Sequence, residues 1–513
     1  MNWAARSEKY TLCDYSTGFS ISFAGMNFTD GQLDALKDKF ERASLEMEKL
    51  ESGAIKNPDE QRKVTHFTDR AAYCSTTEFR EVEEFASAIR AQGKFDAVVV
   101  NGIGGSALGP QLMQFAINGP YWNEMSAAQR QNWLKIYFLD NTDSAGFADL
   151  TAVMDPERTL HLVISKSGGT QETRNNMIAM EQFYASRGLK FGDYAVAVTM
   201  QDSQLYCHAI ESGYLKIFNM ADSVGGRTSE TAIVGHLPAA LTGIDFKTFL
   251  AGACAMDQWT RQKDYSDNPA MMLAAMWYIA GNGKGDRNMV IVPYSDRLVL
   301  LSRYLQQLVM ESLGKELDLD GKRVCQGLNV FGNKGGTDAH AFIQQLNDGR
   351  DDFFATFIEV QKDAAKLNIG NNTAMGDYLH GFFEGLCAAL RNKGRQVITI
   401  RIPEISVFEL GQIIALYERA VAVYAEFINI NAFHQPGVQA YKLAAKAALA
   451  LRESVLEFLA GHPDFSGSAA DLADGAGVPE QAVEVAGILD RAAVNGEYVT
   501  RTNRNGNWIY SAK

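Results

Sequence analysis

The sequence predicts an α/β protein: two tandem α/β/α sandwiches on parallel sheets, with a helical segment before them and a small appendage after. Three observations predict it. From Phe95 onward, short apolar runs alternate with helical stretches; the series begins again after a helical connector; and the composition changes at Gly461. Strands apolar on both faces and alternating with helices belong to parallel sheets covered on both sides. A chain of 513 residues is also too long for one core.

Residues 1–90 read as helical and polar. Thr29 or Asp30 is placed to cap the run GQLDALKDKFERASLEMEKLES, whose apolar residues recur three and four apart. Residues 91–245 form the first sandwich, with DAVVVNG, KIYFLDN, TLHLVISKS, DYAVAVTM and YLKIFNM as strands. Residues 246–455 form the second, with RNMVIVPYSD, GLNVFGN, DFFATFIEV and RQVITIRIP. Open parallel sheets bind ligands beyond the carboxyl ends of their strands, so tandem sandwiches point to a shared crevice. Within the second, Ser406 and Glu409 make a capping box for a helix running through Ile428, apolar nearly all round and so destined for a core or a subunit interface. Residues 456–513 are the appendage. There SAADLADGAG, VPEQAVEVAGILDRAAVNG and EYVTRTNRNGNWIYS read as helix, turn, helix and a hairpin turning near Asn503 to Gly506. That order resembles a small winged-helix module. From Gly461 on, seven acidic residues outnumber four basic ones, which favours packing or an interface over DNA binding.

Composition bounds the function. Hydrophobic residues make up 46% and charged residues 21%, ordinary for a globular protein. A net charge of −13 disfavours nucleic acid and anionic membranes as partners. No run reaches the ~20 apolar residues of a spanning helix, and MNWAARSEKYTLCDYSTG does not read as a secretory signal. The six cysteines are scattered without a CxxC pair, which suits reduced thiols and a cytoplasmic location. Eight histidines show neither HxxxH nor HExxH, so neither a metal nor another cofactor is expected.

Two loops carry the chemistry. In NGIGGSALG, Gly102, Gly104 and Ala107 satisfy the dinucleotide fingerprint, and Asp140 ends the next strand where a ribose-binding acid would stand. The same segment suits a tight strand-to-helix turn or a different anion. The second loop, Ser165, Lys166, Ser167, Gly168, Gly169 and Thr170, opens the helix TQETRNNMIAMEQFY. Three hydroxyls and free N–H groups at a helix start suit a phosphate monoester, with the dipole and Lys166 adding positive potential. GxxxxGK[ST] occurs neither here nor at GNKGGT, so a sugar phosphate fits better than NAD or ATP.

In order, GIGGSALGP, SKSGGTQET, VGGRTSE, QQLVMESLGK, GTDAHAF and FHQPGVQAYK resemble the successive motifs of glucose-6-phosphate isomerases, from Asn101 to Lys442. The resemblance implies two SIS-type sugar-isomerase domains and a hexose 6-phosphate as the small-molecule substrate. It also implies a homodimer with shared active sites. Carried over by position, Gly105, Ser106, Ser165, Lys166, Ser167 and Thr170 lie in the phosphate loops, and Gln307 and Gln435 match substrate-contacting glutamines. Arg227 matches the arginine near the reacting carbons, Glu311 the base, and His340 with Lys442 the ring-opening pair. Thr228 stands where the family usually has an aromatic residue and Gln439 where it usually has Glu, and neither supplies an acid–base group.

The chemistry explains this cast. Moving a proton between C2 and C1 through an enediol needs one carboxylate that reaches both carbons. Glu311 qualifies, sharing a helix face with Gln307 while Leu301, Leu305 and Leu308 line the buried stripe. Its competing role is a surface pair with Lys315, one turn on. Without a metal, a guanidinium beside Gly225 and Gly226 stabilises the enediolate charge. His340 titrates near neutrality and Lys442 supplies charge or a proton, as opening a pyranose requires. The rivals are another SIS isomerase, acting on mannose or amino-sugar phosphates, and a non-catalytic sugar-phosphate sensor that binds DNA.

Overall fold

The computed structural model describes residues 2–513, which divide into two compact units, the first running to residue 434 and the second spanning 435–513. The first unit holds both sandwiches. Five parallel strands form its first sheet, in the order Lys135–Leu139, Ala97–Asn101, Thr159–Ile164, Ala195–Thr199 and Lys216–Asn219. Every residue of the Ala97–Asn101, Thr159–Ile164 and Ala195–Thr199 strands is buried, which is why these runs read as apolar without alternation. The second sheet has six strands: Thr11–Asp14, Phe19–Gly25, Gln396–Ile402, Phe353–Val360, Asn288–Tyr294 and Val330–Phe331. Its last four are mutually parallel. All nine expected strands are present.

The amino-terminal segment departs from the helical expectation. Five helices do form between Trp3 and Gln92, but Thr11–Asp14 and Phe19–Gly25 are strands, and the second adds antiparallel to Gln396–Ile402. Burial drives this pairing: Phe19, Ile21 and Phe23 are fully buried, one side of a strand with period two. The run after Thr29 is two helices, Asp30–Asp34 and Lys37–Glu51, with Thr29 and Gln32 forming the capping box that opens the first. Helix Val407–Phe427 is buried from Glu409 to its end. It packs on helix Phe246–Trp259 through Gly252 and Gly411, where an added Cβ would stand 1.9 Å from the Phe408 oxygen and 2.2 Å from the Phe249 oxygen.

The boundary expected at 455/456 falls inside helix Pro436–Gly461, and the units divide at 434/435. That helix buries Leu451, Val455 and Leu459 in a cluster with Leu472, Val485, Leu489 and Tyr510, so its apolar face completes the core of the second unit. Helices Ala469–Gly475 and Ala482–Val494 follow, then the hairpin Val499–Arg504 and Asn507–Ala512, joined by Ser466–Gly467 into a three-stranded sheet. Among the described residues no helix is long and apolar enough to cross a membrane.

Candidate active site

The two phosphate-type loops leave neighbouring strands of the first sheet. Ala97–Asn101 pairs in parallel with Thr159–Ile164, so the turns that follow them emerge side by side at the carboxyl edge. After Asn101, Gly104–Ser106 make one tight turn before helix Leu108–Ile117. Its glycines are required by close approach. A Cβ on Gly105 would lie 1.8 Å from the Gly226 oxygen, and one on Gly104, which has φ +59°, 2.9 Å from Gln307 Nε2. Gly105 and its neighbour thus let the first loop touch both the Arg227 loop and the helix bearing Gln307. Asp140 accepts from Gln111 Nε2 at 2.7 Å, so the acid expected at a ribose is committed to a side chain.

In the second loop, Thr170 is the N-cap of helix Gln171–Ala185. Ser165 Oγ donates to Thr170 Oγ1 at 3.2 Å, and Ser167 Oγ accepts from the Gly169 N–H at 3.2 Å. Gly168 turns the chain at φ +72° against the Leu205 backbone. Lys166 faces elsewhere than a bare phosphate cradle: its Nζ donates to the carbonyls of Asp222 and, at 3.2 Å, Val224, and pairs with the Asp222 carboxylate at 3.1 Å. It ties this loop to the segment entering Gly225–Gly226–Arg227. Burial, and then Arg62, push its pKa down, against Asp222.

Arg227 and Glu311 meet. Arg227 Nη2 lies 3.6 Å from Glu311 Oε1, with the arginine side chain 6% exposed and the glutamate 23%. The guanidinium is also fixed by carbonyls of Ala432 at 3.2 Å and His434 at 3.4 Å, and by Ser312 Oγ at 3.3 Å. Burial lowers its pKa while Glu311 raises it. The helix that carries Glu311 opens at Leu301–Leu305 and widens into a π-turn over Gln306–Glu311. Such turns are concentrated at functional sites. Leu301, Leu305 and Leu308 are buried, and Gln307 and Glu311 are half-buried. Lys315, expected as a surface partner, is buried and donates to the Glu311 backbone carbonyl at 2.7 Å.

His340 is exposed on the short turn Thr337–His340 that follows strand Val330–Phe331. That turn is held by buried Asp338, which accepts from the Asn333 backbone N–H at 3.0 Å. Gln435 is the N-cap of helix Pro436–Gly461, and Lys442 is exposed in its second turn; both belong to the second unit. Sequence reasoning missed the depth of Lys315 and the role of the Ala432–His434 carbonyls, because hydrogen bonds to backbone leave no residue signature. It also missed a group of Glu359, His380 and Glu384, whose ligand atoms lie within 4.8 Å of one another. His380 and Glu384 are one helical turn apart, the signal that could have found them. Arg401 already pairs with both carboxylates, at 2.6 and 2.5 Å.

The phosphoglucose isomerase family model matches residues 23–393 and 384–468. A glucose-6-phosphate isomerase of Geobacter sp. (strain M21) is 44% identical over 505 residues, covering 94% of this chain and 93% of the relative. Another, from Gloeothece citriformis (strain PCC 7424), is 46% identical over 482 residues, covering 87% and 89%. The crystal structure of a glucose-6-phosphate isomerase from Chlamydia trachomatis superposes with a TM-score of 0.78 at 29% identity, covering 87% of this chain and 91% of that one.

Proposed function

The chain belongs to the phosphoglucose isomerase family and interconverts glucose 6-phosphate and fructose 6-phosphate; we propose that it does so through an enediol made by Glu311 and stabilised by Arg227. The observation that carries this mechanism is the Arg227–Glu311 pair, 3.6 Å apart beside the two glycine-rich loops. In the forward direction the Glu311 carboxylate takes the C2 proton, the C2–H electrons form the C1–C2 double bond, and charge gathers on the C1 oxygen. A buried guanidinium held by three oxygen acceptors is already oriented for that charge. Transfer of the C2 hydroxyl proton to the C1 oxygen, and return of the carbon-derived proton from Glu311 to C1 as the C2 carbonyl forms, complete the ketose.

Phosphate binding falls to Ser106, Ser165, Ser167 and Thr170, with Gly105 giving the loops room to close on each other and Lys166 holding the second loop to the arginine loop. Gln307 contacts the substrate from the Glu311 face. The family motifs assign ring opening to His340 with Lys442 and a further substrate contact to Gln435. The exposure of His340 supports its use by a second copy, hence a homodimer with shared sites. Six unpaired cysteines support the cytoplasm as its compartment.

The test is incubation with fructose 6-phosphate in deuterated water containing EDTA. A proton held on Glu311 exchanges with solvent, so deuterium should appear at C2 of the glucose 6-phosphate formed. Product still free of deuterium after equilibration over many turnovers would point to direct hydride transfer and end the enediol reading. Turnover lost on chelation would contradict a mechanism run by side chains alone. For the shared sites, Glu311→Gln and His340→Ala chains, each nearly inactive, should recover activity when dissociated, mixed and reassembled; no recovery counts against a histidine supplied across subunits.

A further inference from the structure

A second buried cation lies beside the Arg227–Glu311 pair, and the acid–base scheme leaves it without a task. Lys315 opens strand Lys315–Leu317, four residues after Glu311. That spacing at a helix end ordinarily marks a solvated ion pair. Here Lys315 is 4% exposed, and its Nζ donates to the backbone carbonyl of Glu311 at 2.7 Å. An ammonium is costly to bury unless its charge and its three N–H donors are answered. A leucine or methionine would fill the same space without that cost, so folding alone does not account for a lysine here.

The geometry at Glu311 supplies a reason. Glu311 closes the π-turn, where helix carbonyls lose their regular N–H partners. Its carboxylate has Arg227 as ion-pair partner at 3.6 Å, beyond hydrogen-bond reach, so its direction depends on the backbone that carries it. Lys315 is the side chain that holds this backbone. The charged and titratable groups facing it are Arg227, Glu311 and His434.

We propose that Lys315 is a positioning residue for the isomerisation: its ammonium, seated on the Glu311 carbonyl, aims the carboxylate that carries the proton and adds positive potential where the enediolate forms. This rests on Glu311 being the base, as argued above. Burial, with repulsion from Arg227, pushes the ammonium down to about 7 against the pull of Glu311. It is therefore charged below neutrality and loses its proton as the pH rises, so the rate that depends on it falls on the alkaline side.

The experiment is steady-state kinetics of the full chain and of Lys315→Met, Lys315→Gln and Lys315→Arg from about pH 6 to 9, with melting temperatures measured alongside. Turnover by the unaltered chain, lost in Glu311→Gln, secures the parent reading independently of Lys315. Lys315→Met and Lys315→Gln should then lower kcat about tenfold or more at the acid end, with KM changed less than about threefold, because the base is misaimed while the phosphate loops stay intact. In kcat/KM, which reports the free enzyme, the unaltered chain should fall above about pH 7 and Lys315→Arg, charged throughout, should stay level. Lys315→Met or Lys315→Gln with the original kcat overturns the proposal, as does a lower melting temperature with unchanged kcat. If the neutral variants do not fold, Lys315→Arg decides: an alkaline fall identical to that of the unaltered chain overturns it.

Discussion

A carboxylate set 3.6 Å from a buried guanidinium, on a π-turn and half-exposed, is placed to act on something that enters from solvent. If Glu311 moves the proton, Glu311→Gln keeps the shape and removes the base, and kcat should fall by roughly 10²–10⁴ with little change in KM. If Arg227 holds the enediolate, Arg227→Lys keeps a charge but loses the fork, and kcat should fall by about 10²–10³. Because one group makes the charge that the other stabilises, the double variant should lose less than the product of the two losses. Full multiplicativity in the isomerase assay would separate their roles. At this scale the motif residues were legible as types in order along the chain. Their settings were not. Spacing alone reads Glu311 and Lys315 as a surface pair, whereas Lys315 is buried on a carbonyl; and Lys166, read as a phosphate charge, spends its ammonium on Asp222 and Val224. Both outcomes depend on which backbone oxygen lies nearby, which only the fold decides.

Among the elements, the loop Gly104–Ser106 has little room to change. Its middle residue faces the Gly226 carbonyl so closely that any Cβ must part the phosphate loop from the arginine loop. Gly105→Ala should therefore lower kcat/KM by about 10², the scale of an ångström-level misplacement, while the far-ultraviolet circular dichroism stays that of the folded protein. Activity within a few-fold of the unaltered chain would show that the contact between the loops does not matter. The central strands were legible because they are apolar on both faces, a pattern that survives without knowledge of their partners. The Phe19–Gly25 strand was not, although Phe19, Ile21 and Phe23 alternate, because serines separate these residues and the run lies among helices. It is the sheet edge at Gln396–Ile402, some 370 residues downstream in sequence, that makes a strand of it. Likewise, the unit to which the apolar face of helix Pro436–Gly461 belongs was not legible.

Over the whole molecule, burial of titratable groups in unit 1–434 sets how stability responds to acid. Burial lowers the pKa of the histidines His66, His161, His236 and His434; of these His161, against Tyr184 Oη at 2.9 Å, is pushed down to about 3, and His66 lies well below its ordinary value. Each binds its proton more readily unfolded, so each lowers stability as the pH falls from about 6.5. Two buried carboxyls act oppositely. Glu418, although paired with Arg70 at 2.5 Å, is pushed up to about 7 by burial, and Glu230 is raised well above its ordinary value by burial and by Glu418. Each holds its proton more readily folded, so each raises stability as the pH falls from about 7 to 4.5. With each group worth up to about 1.4 kcal/mol per pH unit, these losses and gains oppose one another between about pH 6.5 and 4.5. Below about pH 4.5 the carboxyls contribute nothing further and the histidines continue to cost, so the acid limb should be steep. Replacing His161 by Gln removes one loss and leaves both gains. Urea midpoints followed by tryptophan fluorescence are compared for the two chains across that window. For His161→Gln they should rise relative to the unaltered chain on acidification, by up to about 3 kcal/mol. Parallel curves for the two proteins would mean that His161 takes up its proton as easily inside the first sandwich as in the open chain, and that its burial against Tyr184 has no bearing on the acid limb.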